Sequence, residues 1–152
     1  MSSRDSSPSP SELQPASRWS NVLVGYDGSD SARRALERAA EFAGDKEQVV
    51  VVAVMEPYPG SGVTIPVNES EAEVRRRQDD LVEAQSLLES HGVHASTRLL
   101  HGDPAAALID AAKDADLLVV GSRNLRRLQS LVLGSVSSRV VSGAPCDVLV
   151  VR

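Results

Sequence analysis

The sequence predicts an α/β fold: a single open five-stranded parallel sheet with helices on both faces. Three observations carry this. Short apolar runs rich in Val recur at Asn21 to Tyr26, Val49 to Met55, Leu117 to Val120 and Asp147 to Arg152. They are too short for helices, and several are apolar without alternation, as strands buried on both faces are. Between the runs stand longer segments whose apolar residues follow the helical repeat. Counting Val93 to Leu100, five strands alternate with four helices, the pattern of parallel strands joined by helical crossovers. Crossovers are right-handed, so helices cover both faces only if the strand order reverses once. A ligand then binds beyond the carboxyl ends of the two strands that flank the reversal. The order itself is left open. If the first and fourth strands are neighbours, Asp27 and Gly121 face one crevice.

Residues 1–18 are Ser/Pro-rich without periodicity and are expected to form a disordered tail, leaving residues 19–152 as the folded domain. The first strand ends at Asp27-Gly28-Ser29. Ser29 or Asp30 can cap a helix whose small apolar face is Ala32, Ala35, Leu36, Ala39, Ala40 and Ala43, with Gly44 as its stop. After the second strand, Glu56 to Asn68 holds three prolines and two glycines and reads as a long loop. A charged helix is expected from about Glu69 to Ser90, with Val74, Leu81 and Leu88 on one side. Arg75, Arg76 and Arg77 sit among acids there and read most simply as a solvated face. Val93 to Leu100 alternates apolar and polar residues, which suits a strand near a sheet edge. Asp103-Pro104 starts a helix expected to bury Ala107, Leu108 and Ala111, with the proline where its missing N–H costs nothing. The last strand, Asp147 to Arg152, is apolar on both faces. At a sheet edge it would need covering, and a second copy of the same strand would cover it, so a homodimer through residues 147–152 is expected.

Composition narrows the class. The chain has 152 residues and a net charge of −5, with 41% apolar residues but only 3% aromatic, so the core must be built from Val, Leu and Ala. No apolar run approaches a membrane span, and the polar start does not read as a signal peptide. The single cysteine, Cys146, excludes an internal disulfide framework, and a cytoplasmic location is expected. The acidic balance argues against nucleic acid as a partner.

Against that balance, Leu117 to Cys146 carries Arg123, Arg126, Arg127 and Arg139 and no acid. This stretch is a strand ended by Gly121, a loop, and then Gly134-Ser135 before helically spaced Val136, Val140 and Val141. Ser135 is a plausible N-cap and Gly143 the stop. A glycine-ended strand and a Gly-Ser helix start bring backbone N–H groups and a positive helix end together, which suits a phosphate. A basic solvated face is the other reading of the same charges.

The residues Val24-Gly25-Tyr26-Asp27-Gly28-Ser29, Gly102-Asp103-Pro104, Asp116 to Arg123, Gly134-Ser135-Val136-Ser137 and Ala144-Pro145-Cys146-Asp147-Val148-Leu149-Val150-Val151 together resemble the universal stress protein family. The resemblance covers the chain from about Ser20 and implies a Rossmann-like fold of the adenine-nucleotide-binding type. ATP-binding members carry Gly-x-x-Gly, nine residues, then Gly-Ser or Gly-Thr. Here Leu125 to Leu133 preserve the nine, but Asn124 replaces the second glycine. Asn is the residue that best tolerates a glycine-like backbone, at a cost on the order of 1 kcal/mol.

Carried over, the resemblance implies that Asp27 bonds ribose hydroxyls with Gly25 beside it, and that Val54 offers backbone groups to adenine. Gly121, Ser122, Arg123 and Asn124 would line ribose and phosphates, with Arg127 adding charge. Gly134, Ser135, Val136 and Ser137 would hold phosphates. Each has a plainer role too: Asp27 as a turn residue, Val54 as core, Ser135 and Ser137 as helix caps. The implied ligand is ATP, with or without Mg²⁺, and the implied role is a stress-response regulator acting through protein partners. A regulator of the same fold without nucleotide is the alternative. A slow hydrolase is the weakest reading, because there is no Walker lysine and His91, His94 and His101 show no catalytic or metal-ligand spacing. Cys146 is expected to be a buried small hydrophobe.

Overall fold

Asn21–Gly25 forms β1, and the chain alternates from there: α1 (Asp30–Phe42), β2 (Gln48–Met55), α2 (Val67–Ser90), β3 (Ala95–His101), α3 (Pro104–Ala111), β4 (Leu117–Gly121), α4 (Ser135–Gly143) and β5 (Asp147–Val151). A turn of 3-10 helix, Ala112–Asp114, links α3 to β4. This computed structural model describes residues 19–43, 48–56, 67–122 and 134–152. The expected tail, Gly44, most of the loop after β2, and Arg123, Asn124, Arg126 and Arg127 lie outside the described residues.

All strand pairings are parallel, in the order β3-β2-β1-β4-β5. The order left open by the sequence therefore reverses once, between β1 and β4, where Leu23 pairs with Leu118. The side-chain alternation of the strands sorts the core into two layers. Val22, Val24, Val51, Leu117 and Val119 pack with Ala32, Ala35, Leu36 and Ala39 of α1 and Leu81, Ala84 and Leu88 of α2. Leu23, Val52, Leu118 and Val120 pack with Ala105, Leu108 and Ala112 and with Val140 of α4. Both faces are covered, which is why β1, β2 and β4 read as continuous apolar runs. β3 and β5 are the edges, as their polar alternation and chain-end position suggest.

The structure corrects several local expectations. β1 stops at Gly25, and α2 begins at Val67 rather than Glu69. The inward face of α3 is Ala105, Leu108 and Ala112; Ala107 and Ala111 are only half-buried. In a stretch made largely of alanine, apolar spacing cannot fix the rotation of the helix. In α4, Gly134 is the N-cap and makes no side-chain capping bond, so Ser135 is the first helical residue. Val140 is buried but Val141 is 49% exposed, because adjacent residues of a helix point about 100° apart. Gly143 closes α4 without a left-handed turn, and its backbone lies against Ile109 of α3.

Candidate functional site

The reversal opens a cleft of about 280 Å³ beyond the carboxyl ends of β1 and β4. That lies just below the usual range of small-molecule sites, ~300–1,000 Å³. Gly25, Tyr26, Asp27 and Ser29 form one wall, and Gly121 and Gly134 to Ser137 the opposite one. Val54 and Glu56 close the β2 side, and Pro104 and Leu108 the α3 side.

Each wall follows from local chemistry. Tyr26 N–H extends the β1 ladder by donating to the Val52 carbonyl at 2.8 Å. The chain then turns at Gly28, whose φ of +78° is open to glycine at little cost. Within that turn Ser29 N–H donates to Asp27 Oδ1 at 3.0 Å, and Ser29 Oγ accepts from Ala32 N–H at 3.2 Å, capping α1. The carboxylate of Asp27 is thereby oriented at the cleft wall.

Across from it, Gly121 is demanded by close approach. A Cβ there would fall 2.6 Å from Ala32 N and from Ser31 C, so β4 ends pressed against the first turn of α1. Ser137 Oγ donates to the Gly121 carbonyl at 3.0 Å from a buried position, locking the start of α4 onto the end of β4. The Ser137 hydroxyl proton is therefore already engaged, leaving the backbone of Gly134 to Ser137 as the donor-rich part of this wall. The three shorter helices differ here. The α1 and α3 N-termini are capped by Ser29 and Asp103, whereas α4 has no side-chain cap and opens into the cleft. Helix-start N–H groups that no side chain caps among the described residues, with glycine beside them, favour an anionic group.

Of the expected site residues that are described, all but Ser122 line this cleft. Ser122 is buried, and its N–H donates to the Val151 carbonyl at 2.7 Å, which fastens β4 to β5. Arg123, Asn124 and Arg127 lie outside the described residues. His91, His94 and His101 are exposed, as expected of surface positions, and no group of three or more His, Cys, Asp or Glu side chains that could hold a metal occurs among the described residues. Cys146 is half-buried rather than fully so, and burial pushes its thiol up.

Several lining residues were not among the candidates, Tyr26, Ser29, Glu56 and Arg77 among them, and of these only Arg77 is cationic. Arg77 of α2 reaches the cleft with its side chain only 17% exposed, donating through Nε to Glu73 Oε1 at 3.1 Å. Its neighbours Arg75 and Arg76 are solvated as expected. The signal was present: position 77 is three after Val74 and four before Leu81, on the inward stripe of the helix. Asp80, beside Arg77, has its carboxyl raised by burial, with Arg77 opposing the rise.

These features define a class: a doubly wound α/β domain with a polar, anion-favouring cleft at its single strand-order reversal. The family model described as the universal stress protein family matches residues 18–152. The chain belongs to the universal stress protein family. It is 38% identical over 137 residues to the universal stress protein in the QAH/OAS sulfhydrylase 3′ region of Thermus aquaticus, covering 88% of this chain and 99% of that one. Among solved structures it is similar to a universal stress protein in complex with cAMP, at 30% identity, TM-score 0.67, and 88% and 97% coverage of the two chains. It is likewise similar to the Archaeoglobus fulgidus universal stress protein in complex with dAMP, at 29% identity, TM-score 0.65, and 87% and 97% coverage. No helix among the described residues is long and apolar enough to cross a membrane.

Proposed function

We propose that this chain binds an adenine nucleotide, ATP in the first instance, in the cleft between β1 and β4. In this reading it acts in the cytoplasm as a stress-response regulator through contacts with other proteins. The observation that carries the proposal is the opposition of Asp27 to the uncapped start of α4. A carboxylate suited to vicinal hydroxyls and backbone N–H groups suited to phosphate line one cleft of about 280 Å³. Relatives crystallised with cAMP and dAMP support the same class of ligand. The residues present fit the group: Asp27 would take the ribose, Val54 and Gly25 the base side, and Gly134 to Val136 the phosphates. Mg²⁺, where used, would be held chiefly by the phosphates and water.

Denaturing purified protein and weighing what it releases, followed by calorimetry with ATP with and without Mg²⁺, tests the reading directly. Retained adenine nucleotide, or heat of binding at micromolar to millimolar ATP, is expected. Absence of both would favour a regulator of the same fold that works without nucleotide. We further propose that two copies pair along β5, where Val148, Leu149 and Val150 are only partly covered by the single chain. Light scattering coupled to size exclusion reads this out, and a monomer at crystallisation-like concentration refutes it.

A further inference from the structure

Helix α2 presents Val74, Arg77, Leu81, Ala84 and Leu88 along one inward stripe, and four of these five are apolar. A guanidinium at the remaining place is costly, because its charge is taken partly out of water and its long side chain is immobilised. An apolar residue would have continued the stripe. The arginine is held by what surrounds it: Glu73 Oε1 at 3.1 Å from Nε, Asp80 Oδ2 at 3.5 Å from Nη1, and the Asp27 backbone carbonyl at 3.4 Å from the same Nη1. Asp80 is itself only 19% exposed, and its Oδ1 lies 3.1 Å from where a Cβ on Gly28 would sit. The Arg77–Asp80 pair thus lies against the Asp27-Gly28 turn, and α2 backs the cleft wall that carries Asp27.

We propose that Arg77 is a positioning residue for ribose recognition: its guanidinium, compensated by Glu73 and Asp80, fixes the backbone at Asp27 and so aims the Asp27 carboxylate at the ribose hydroxyls. The inference rests on the adenine-nucleotide reading and adds to it a specificity determinant on a helix remote in sequence from the glycine motif. Arg77 reaches Asp27 through the main-chain carbonyl, so its influence is on direction, while contact with the ribose belongs to Asp27. Its loss should therefore be felt only by ligands that carry the hydroxyls.

The test is calorimetry on the full chain with ATP and with 2′,3′-dideoxy-ATP, for wild type, Arg77→Met and Arg77→Lys. Arg77→Met is expected to weaken ATP about tenfold, the scale of one hydrogen bond to a charged group, and the dideoxy nucleotide by less than about threefold. Arg77→Lys keeps a cation between Glu73 and Asp80 but lacks the planar fork, so it folds even where the methionine variant does not, and shows the same selective loss. Equal losses for the two ligands would mean that Arg77 touches the nucleotide elsewhere or merely supports the helix, and would overturn the proposal. So would no loss for either. If wild type binds neither ligand, the nucleotide reading itself fails and this inference with it, an outcome separate from failure of the variants alone.

Discussion

Replacing Gly121 by alanine adds a single methyl group between the end of β4 and the first turn of α1, and its consequence can be worked out from three distances. The new carbon would lie 2.6 Å from Ala32 N, 2.6 Å from Ser31 C and 2.7 Å from Ser31 Oγ, where ordinary contact begins at 3.4 Å. Two of the three are main-chain atoms in the first turn of α1, so no rotamer change relieves the clash, and the helix must retreat by most of an ångström. Gly121 has no positive φ. On backbone grounds alone, then, alanine would stabilise the protein by ~0.4–1 kcal/mol through the unfolded chain. Overpacking costs ~1–3 kcal/mol, and contacts with main-chain atoms place this one in the upper half of that range, so the net is a loss of ~1–2.6 kcal/mol and a fall in Tm of roughly 2–10 °C for a domain of this size. Gly25 provides the comparison, since a Cβ there meets only the side-chain ends of Leu108 and Val120, at 3.2 Å. Gly25→Ala is expected within ~0.5 kcal/mol of wild type, because those methyl groups can swing aside. Urea denaturation of the two variants, with unchanged m-values, decides the matter. A Gly121→Ala protein as stable as wild type, or a Gly25→Ala protein that is the worse of the two, would refute the close approach of β4 and α1.

Other substitutions probe the remaining parts. Gly134→Val should reduce ATP affinity more than about tenfold, ~1.4 kcal/mol, beyond the loss of up to ~1 kcal/mol in unliganded stability that Val at the α4 N-cap brings, and should leave the proposed β5 pairing untouched; calorimetry showing undiminished affinity would remove α4 from the site. Ser29→Ala should cost ~1 kcal/mol in urea denaturation through loss of the α1 cap, and an unchanged midpoint would contradict that role. Asp116 accepts N–H bonds from Ser20 and Asn21, which hold its carboxyl below the usual carboxylate range. A depressed folded-state pKa means the unfolded chain takes up the proton first, so this stabilisation is present above the ordinary Asp value and lost as pH falls toward the depressed one. Asp116→Asn should therefore flatten the acid limb of a stability profile below about pH 4, where Asp normally titrates, and an unaltered limb would count against it.

The sheet was legible because burial on both faces leaves an unmistakable trace, a strand with no polar alternation, in β1, β2 and β4. The caps Ser29 and Asp103 were legible for a related reason, as short polar side chains set just before helical spacing begins. Strand order was not, since it depends on which long crossover returns to which edge, and no residue spacing encodes that. Arg77 was hidden by its neighbours: three consecutive arginines among acids look like one solvated run, although only one of them falls on the inward stripe. Ser122 has a second role that its place beside Gly121 did not announce: its backbone N–H ties the end of β4 to β5. The Ser135 capping assignment failed because Gly134 occupies the cap, with extended backbone and no side chain to spend on the helix.

The pairing of β1 with β4 sets when the cleft can exist during folding. Leu23 and Leu118 meet only after the two intervening strands and three crossover helices have formed or been bridged, and closing so long a stretch of chain is slow. A nascent chain released before β4 carries Asp27 but no opposing wall. Any molecule recognised by both walls is consequently a ligand of the finished domain alone. By mass action it stabilises only chains that have completed the fold, so occupancy of the cleft doubles as a certificate of maturity.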